Sequence, residues 1–356
     1  MSATPDIVVV GGGIVGLCAA LAVADRGMRV TVVDDNRPGA ASRASAGMLG
    51  PSLPGLSASL RGLALGARDL YPEVVERIAV RSGVAVTLDR SGILEVAASS
   101  AELDELHRRN AGAARLDQTA LAALEPALHA HAGAVHHPHD GWVDNRALMD
   151  ALWSAADKDP RVHLVRDRAE SVNASFGAAQ AVLSRGTRVQ CRRIVIASGA
   201  WTRLTGLPRR IPVRPVKGEL LTLNCCPVRH TVYGTRGYLV PRRDTLLVGA
   251  TSEEENWDPH PSAEGLQILL AAASALSSSL SNAKVVDHWG GIRPVSPDGL
   301  PILGEAAGDP ALVYACGFSR NGILLAPWAG SVLGALLSGE VGATFPPEFS
   351  PDRFAK

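Results

Sequence analysis

Hydrophobic positions along this 356-residue chain form short runs separated by glycine-rich or polar turns. Ile7-Val8-Val9-Val10 is an apolar run of strand length, followed by Gly11-Gly12-Gly13-Ile14-Val15-Gly16 and an apolar helical stretch. Thr31-Val32-Val33 then ends in Asp34, so the pattern predicts strand, glycine turn, helix, strand and acid. Residues 60–80 read as helix, 84–96 as two strands around Arg90-Ser91-Gly92, and 103–128 as a charged, alanine-rich helical stretch. Residues 134–143 read as loop and 146–156 as a helix capped by Asp144 or Asn145. Strands are predicted at 162–165, 179–183 and 189–196. The texture changes near Val213, where 213–223, 238–241 and 246–250 read as antiparallel strands with a turn at Arg243-Asp244, and 266–276 as a helix. Short buried strands return at 288–293, 301–303 and 312–315. A helix follows over about 326–337, with Pro327 in its first turn, where a missing N–H is tolerated. Only the last dozen residues look loose.

The glycines of the first turn have separate steric roles. Gly11 permits the tight turn, Gly13 lets a pyrophosphate approach the backbone, and Gly16 lets the helix pack on the strand. The helix start offers N–H groups and partial positive charge to phosphates. Asp34, roughly 20 residues on, is spaced to accept hydrogen bonds from an adenosine ribose. The loop from Gly39 through Ala40-Ala41-Ser42-Arg43-Ala44-Ser45-Ala46-Gly47-Met48 is too poor in bulky groups for a core helix. Its small side chains let backbone approach a flat ligand, as Gly199 does in Ala197-Ser198-Gly199-Ala200-Trp201.

Composition narrows the function classes. The 35 basic and 35 acidic side chains cancel, leaving no field for nucleic acid or an anionic membrane surface. No basic residue precedes the first apolar run, so it is not read as a secretory signal. Asp25 and Arg26 interrupt it before the ~20 apolar residues of a membrane span. Cys18, Cys191, Cys225, Cys226 and Cys316 form neither an even disulfide framework nor a metal spacing, and read as reduced thiols of a cytoplasmic protein. His136-His137-Pro138-His139, downstream of His129 and His131, lacks the cysteine or paired acid that would complete a metal site. It reads as a solvated loop, and no metal is expected.

The ordered landmarks also match a family. They are Gly11 to Gly16, Ala46-Gly47-Met48-Leu49, Gly141-Trp142-Val143-Asp144, Pro215-Val216-Lys217-Gly218-Glu219, Tyr238-Leu239-Val240-Pro241-Arg242 and Val248-Gly249-Ala250-Thr251. Gly291-Ile292-Arg293-Pro294 and Arg320-Asn321-Gly322-Ile323 complete the series. The chain resembles the flavin amine oxidases of the D-amino-acid-oxidase type, most closely the glycine-oxidase branch associated with thiamine biosynthesis. The resemblance implies a Rossmann-like α/β FAD-binding domain interleaved with an α+β substrate domain containing an antiparallel sheet. The expected segments are 1–80, 140–212 and 288–356 for FAD binding, and 81–139 and 213–287 for substrate.

By the same resemblance FAD is the cofactor. Gly11, Gly13, Ile14, Val15 and Gly16 hold its pyrophosphate, Asp34 the ribose, and Ser42, Arg43, Ala46, Gly47 and Met48 line the flavin, with Gly199 beside the nucleotide. Asn321, Gly322 and Ile323 bring a helix start to the cofactor. Arg293 is the carboxylate-binding residue, since a planar guanidinium fixes direction as well as charge. Its alternative is a salt bridge to an acid such as Asp298. Tyr238 is the active-site tyrosine, and Arg320 shapes the substrate pocket or supports the flavin. The implied reaction is oxidation of a small amino acid or amine to an imine that water hydrolyses, with oxygen as electron acceptor; a homo-oligomer is compatible with it.

Three departures from the glycine-oxidase pattern stand out. Phe318-Ser319 precede Arg320, Ser252 follows Thr251 where a bulky pocket residue can stand, and Arg43 replaces a small polar residue. Ser252 is expected to enlarge the pocket, and Glu253-Glu254-Glu255 to form a solvated loop. Arg43 is read either as a phosphate contact or as a solvent-facing loop residue. Cys316 raises covalent flavin attachment against a buried structural thiol. Rival readings are a dehydrogenase of D-amino or N-methyl amino acids using another acceptor, a flavin domain acting on tRNA nucleosides, and a non-catalytic FAD-binding protein.

Overall fold

The computed structural model describes residues 4–110, 112–175, 178–208 and 210–354. Its largest feature on the nucleotide side is a six-stranded sheet ordered Ile302–Ala306, Asp309–Cys316, Arg193–Ile196, Ile7–Val10, Val30–Val33 and Val162–Val165. All neighbours run parallel except the Ile302–Ala306 edge, which is antiparallel. Its inner strands are continuous Val/Ile runs because both faces are covered. Ile7 and Val9 pack under the helices Ile14–Asp25, Asn145–Lys158 and Gly322–Ser338, while Val8, Val10, Ile194 and Ile196 pack under the strands Ala169–Ser175 and Ala178–Leu183.

The second sheet has nine strands. Eight follow the order Glu253–Glu254, Arg214–Leu223, Thr245–Gly249, Gly237–Arg242, Thr231–Gly234, Ile93–Ala97, Gly133–His137 and Ala114–Asp117; Val285–Val295 pairs with Arg214–Leu223. The helix Ala263–Leu276 covers one face through Leu269, Ala273 and Leu276. The short strands Met48–Leu49, Gly141–Val143 and Leu88–Asp89 form a third sheet that fastens the end of the small-residue loop. The mixed α/β architecture is the expected one.

Several local expectations change. The 60–80 segment is two helices, Ala58–Asp69 and Tyr71–Ser82, and 103–128 contains the strand Ala114–Asp117 between two helices. The predicted loop at 134–143 is two strands, and the histidine tract belongs to the first of them. There His137 is buried against Glu95 at 3.2 Å. Among the described residues no group of three potential ligands forms a metal site. The 189–196 run divides at Arg192 between two sheets. Residues 288–293 do not return to the parallel sheet but lie within Val285–Val295 of the antiparallel one. Glu253 and Glu254 form an edge strand, where Glu254 pairs with Arg214. Near the chain end, Phe349 is fully buried in a 3₁₀ turn.

Pro327 lies inside the helix Gly322–Ser338, not in its first turn. Without an N–H, Pro327 cannot bond the carbonyl of Ile323 four residues back. The hydroxyl of fully buried Tyr71 donates to that carbonyl instead.

Candidate active site

The nucleotide half is set by the first turn. Gly11 has φ +108, and a Cβ there would lie 2.4 Å from the carbonyl oxygen of Ala197. Gly13 precedes the helix without a side-chain cap, and the first turn carries no acid, so the helix start presents donors and positive potential. Ser42 accepts a hydrogen bond from the Ile14 N–H at 3.0 Å. Asp34 accepts from the Gly12 N–H at 2.6 Å and the Asn36 N–H at 2.7 Å, which fixes its carboxylate at the end of its strand.

A cavity of about 1030 Å³ runs from the C-terminal ends of the parallel strands to one face of the antiparallel sheet. Gly11, Gly13, Ile14, Val15 and Asp34 line it together with Ser42, Ala46, Gly47, Met48 and Gly199. Across from them stand Arg293, Tyr238, Arg320, Asn321, Gly322 and Ile323.

Register explains the arginine and the tyrosine. Arg293 pairs with Val216 and Gly291 with Gly218, so Arg293 and Gly218 share a face. A Cβ on Gly218 would lie 2.2 Å from both Nη atoms of Arg293, so the guanidinium rests directly on that glycine. Nη1 donates to the carbonyls of Thr251 at 3.1 Å and Lys217 at 3.3 Å. Tyr238 pairs with Gly249, whose Cβ would lie 2.4 Å from the phenol oxygen. Two glycines thus make room for the two recognition groups.

Burial pulls the Arg293 pKa below its ordinary value, and neighbouring Arg320 pulls the same way. The alternative partner Asp298 is taken by Arg353 at 2.7 Å. Among the described residues Arg293 has no carboxylate partner, which leaves it an anion-binding group. Burial pushes the Tyr238 hydroxyl up to about 12, so it remains a protonated donor at neutral pH.

Three assignments are corrected. Arg43 does not line the cavity; of its two readings the solvent-facing one holds, its side chain pairing with Asp150 at 2.7 Å on the surface. Gly16 lies behind the turn, where a Cβ would strike the Gly11 carbonyl oxygen at 2.0 Å, so its role is helix packing and not ligand contact. Ser252 is exposed and outside the cavity wall, which Ala250 and Thr251 form. Cys316 is buried at the wall, and burial pushes its thiol up to about 12, the form of a structural thiol. Gly218, Gly249 and Thr251 were not singled out as functional, although all three lie within recognisable landmarks.

The profile of the DAO family, FAD dependent oxidoreductases, matches residues 6–336. The chain belongs to this family. It is 34% identical to the glycine oxidase of Geobacillus kaustophilus, over 93% of this chain and 92% of that protein. The crystal structure of glycine oxidase from the same organism superposes with a TM-score of 0.92 at 33% identity, covering 98% of this chain and 99% of that one. The bifunctional protein ThiO/ThiG of Synechocystis is 35% identical over 99% of this chain, which spans only 55% of that longer protein. This DAO-family oxidoreductase therefore uses FAD, and the residues fit it: a tight glycine turn, a helix start with glycine at its N-cap and no acid in its first turn, an anchored acid and one continuous cavity. Among the described residues no helix is long and apolar enough to cross a membrane.

Proposed function

We propose that the protein oxidatively deaminates glycine or a similarly small amine such as sarcosine, in service of thiamine biosynthesis. The observation that carries this reading is Arg293, half-buried at the cavity wall beside Tyr238 with no acid partner among the described residues. FAD, held along the glycine turn and the Ala46–Met48 segment, would supply the acceptor for a hydride equivalent from the substrate α-carbon, with oxygen as the final electron acceptor. The chain's task is then to hold the amino acid in one orientation and keep water away. Arg293 takes the substrate carboxylate through a pair of parallel hydrogen bonds, and the protonated Tyr238 hydroxyl donates to the same group. Arg293 and Arg320, neither with a carboxylate partner among the described residues, give the pocket a positive field. That field favours the neutral, reactive form of the substrate amine over its ammonium.

The test is an anaerobic screen of flavin bleaching with glycine, sarcosine, and D- and L-amino acids, followed by a peroxide assay under air. Glycine and sarcosine should bleach the flavin, D-alanine partly, and L-amino acids not at all, with peroxide formed on turnover. Preference for a large or L-configured substrate refutes the glycine assignment. Bleaching without peroxide refutes oxygen as the acceptor.

A further inference from the structure

Arg242 ends the Tyr238-Leu239-Val240-Pro241-Arg242 landmark, yet nothing in the proposed chemistry uses it. It stands on the same strand and face as Tyr238 and Val240. Its guanidinium carbon lies 3.6 Å from the centroid of the Trp142 ring, and Nη2 donates to the carbonyl of Ala46 at 2.7 Å. Desolvation by burial pulls its pKa down to about 10. The acids nearest by charge are Asp144 and Asp89, and both are engaged elsewhere. Asp144 caps a helix through the Ala147 N–H, and Asp89 accepts from the N–H and hydroxyl of Ser91.

Arg242 has no ion-pair partner among the described residues, and a half-buried guanidinium so placed is costly unless its hydrogen bonds do specific work. Here the acceptor is Ala46, in the segment Ala46-Gly47-Met48 that lines the cavity. The stacking partner Trp142 pairs directly with Met48 in the small sheet. Arg242 therefore grips this segment at both ends, through the Ala46 carbonyl and through the ring behind Met48. Ala46, Trp142 and Val240 belong to one apolar cluster with Met48 and Tyr238 packed on it, so the grip links the loop to the tyrosine strand. Upstream in the loop, Trp289 donates to the Ala44 carbonyl at 2.9 Å and Asn145 to that of Ser42 at 2.9 Å. Arg242 supplies the one charged donor in this set.

We propose that Arg242 is a positioning residue that fixes the flavin-facing segment Ala46–Met48 against the sheet that carries Tyr238 and Arg293. It acts through the loop backbone and touches neither substrate nor reacting atoms. The inference rests on FAD binding in this cavity and is independent of which amine is oxidised.

The experiment compares purified Arg242→Gln and Arg242→Lys holoenzymes with wild type. Its readouts are the dissociation constant of FAD, followed by flavin fluorescence on dilution, the visible flavin spectrum, and apoprotein melting. Loss of one charge-assisted hydrogen bond should raise the FAD dissociation constant roughly ten- to a hundred-fold in Arg242→Gln and perturb the flavin band shape. Arg242→Lys, which keeps the charge and one donor, should recover part of both. Trp142→Leu leaves the Ala46 bond but removes the stacking ring, and should shift both readouts in the same direction by less. If Arg242→Gln fails to fold, the lysine and leucine variants decide the matter. A folded Arg242→Gln enzyme with wild-type FAD dissociation and spectrum overturns the proposal. So does a fall in apoprotein melting alone, or a lysine variant no better than glutamine.

Discussion

Arg293→Lys separates charge from geometry at the carboxylate site. In the native structure one Nη is committed to the carbonyls of Thr251 and Lys217, and the guanidinium plane lies on Gly218. Those anchors leave the remaining donors free for a substrate carboxylate in one fixed orientation. Lysine keeps the positive charge, but a single ammonium cannot satisfy two backbone carbonyls and also present a planar pair of donors. The variant should lose about one charged hydrogen bond to substrate, ~1.5–3 kcal/mol, or roughly one to two decades in kcat/KM. Most of the loss should appear in KM if the contact is equal in ground and transition states. Steady-state peroxide production against substrate concentration gives both constants, and flavin absorbance per protein controls for cofactor content. Gly218→Ala approaches the same atoms from below. Its Cβ would sit 2.2 Å from the guanidinium, so the arginine must move without any change of charge. Unchanged kcat/KM in Arg293→Lys at full FAD content would assign Arg293 to structure and refute the reasoning.

Gly11→Ala should yield protein without bound flavin, because a side chain there meets φ +108 and an oxygen at 2.4 Å; full flavin content in that variant would contradict the turn's role. A further prediction concerns buried Lys217 and Glu219 and half-buried His288, on the opposite face of the sheet from Arg293. Glu219 Oε1 lies 2.8 Å from Lys217 Nζ, and its Oε2 lies 2.8 Å from His288 Nε2. Burial works to raise the Glu219 pKa, but hydrogen bonds from Lys217 and Ser262 prevail and hold it below its ordinary 4.5. A depressed carboxylate stabilises the fold above its unfolded value, and that contribution is lost as pH falls through the folded value. Glu219→Gln should therefore lack this part of the acid-side decline and start roughly 1.5–3 kcal/mol less stable at neutral pH, since it leaves Lys217 with only the longer ion pair to Glu253 at 3.6 Å. Identical melting temperatures and acid midpoints for the two proteins would exclude the effect.

Local signals carried the nucleotide half. The glycine turn, the apolar strands and Asp34 lie within one short segment, and each acts on its immediate neighbours. The substrate half was legible only in part. Arg293 stands out as a residue type in context and Tyr238 through the family resemblance, but Gly218 and Gly249 gain meaning only from cross-strand register. The strand Gly133–His137 hid because histidines interrupt its apolar alternation, and His137 is buried through a partner 42 residues away. Ser252 was misplaced by a single position: Thr251 carries the cavity wall and the carbonyl under Arg293. Arg43 showed no local sign of the surface acid Asp150 that draws it away.

The bond from Tyr71 to Ile323 also constrains how this chain can change through descent. An ordinary residue at position 327 would supply its own N–H to the Ile323 carbonyl and leave the tyrosine hydroxyl redundant. With proline there, the hydroxyl is the carbonyl's buried partner, and phenylalanine at position 71 would strand it. Substitution is therefore directional: a lineage can release the proline first and the tyrosine afterwards, but the reverse order passes through a damaged intermediate. Two sites 256 positions apart in sequence are expected to covary for that reason alone, although Tyr71 lies outside the cavity wall.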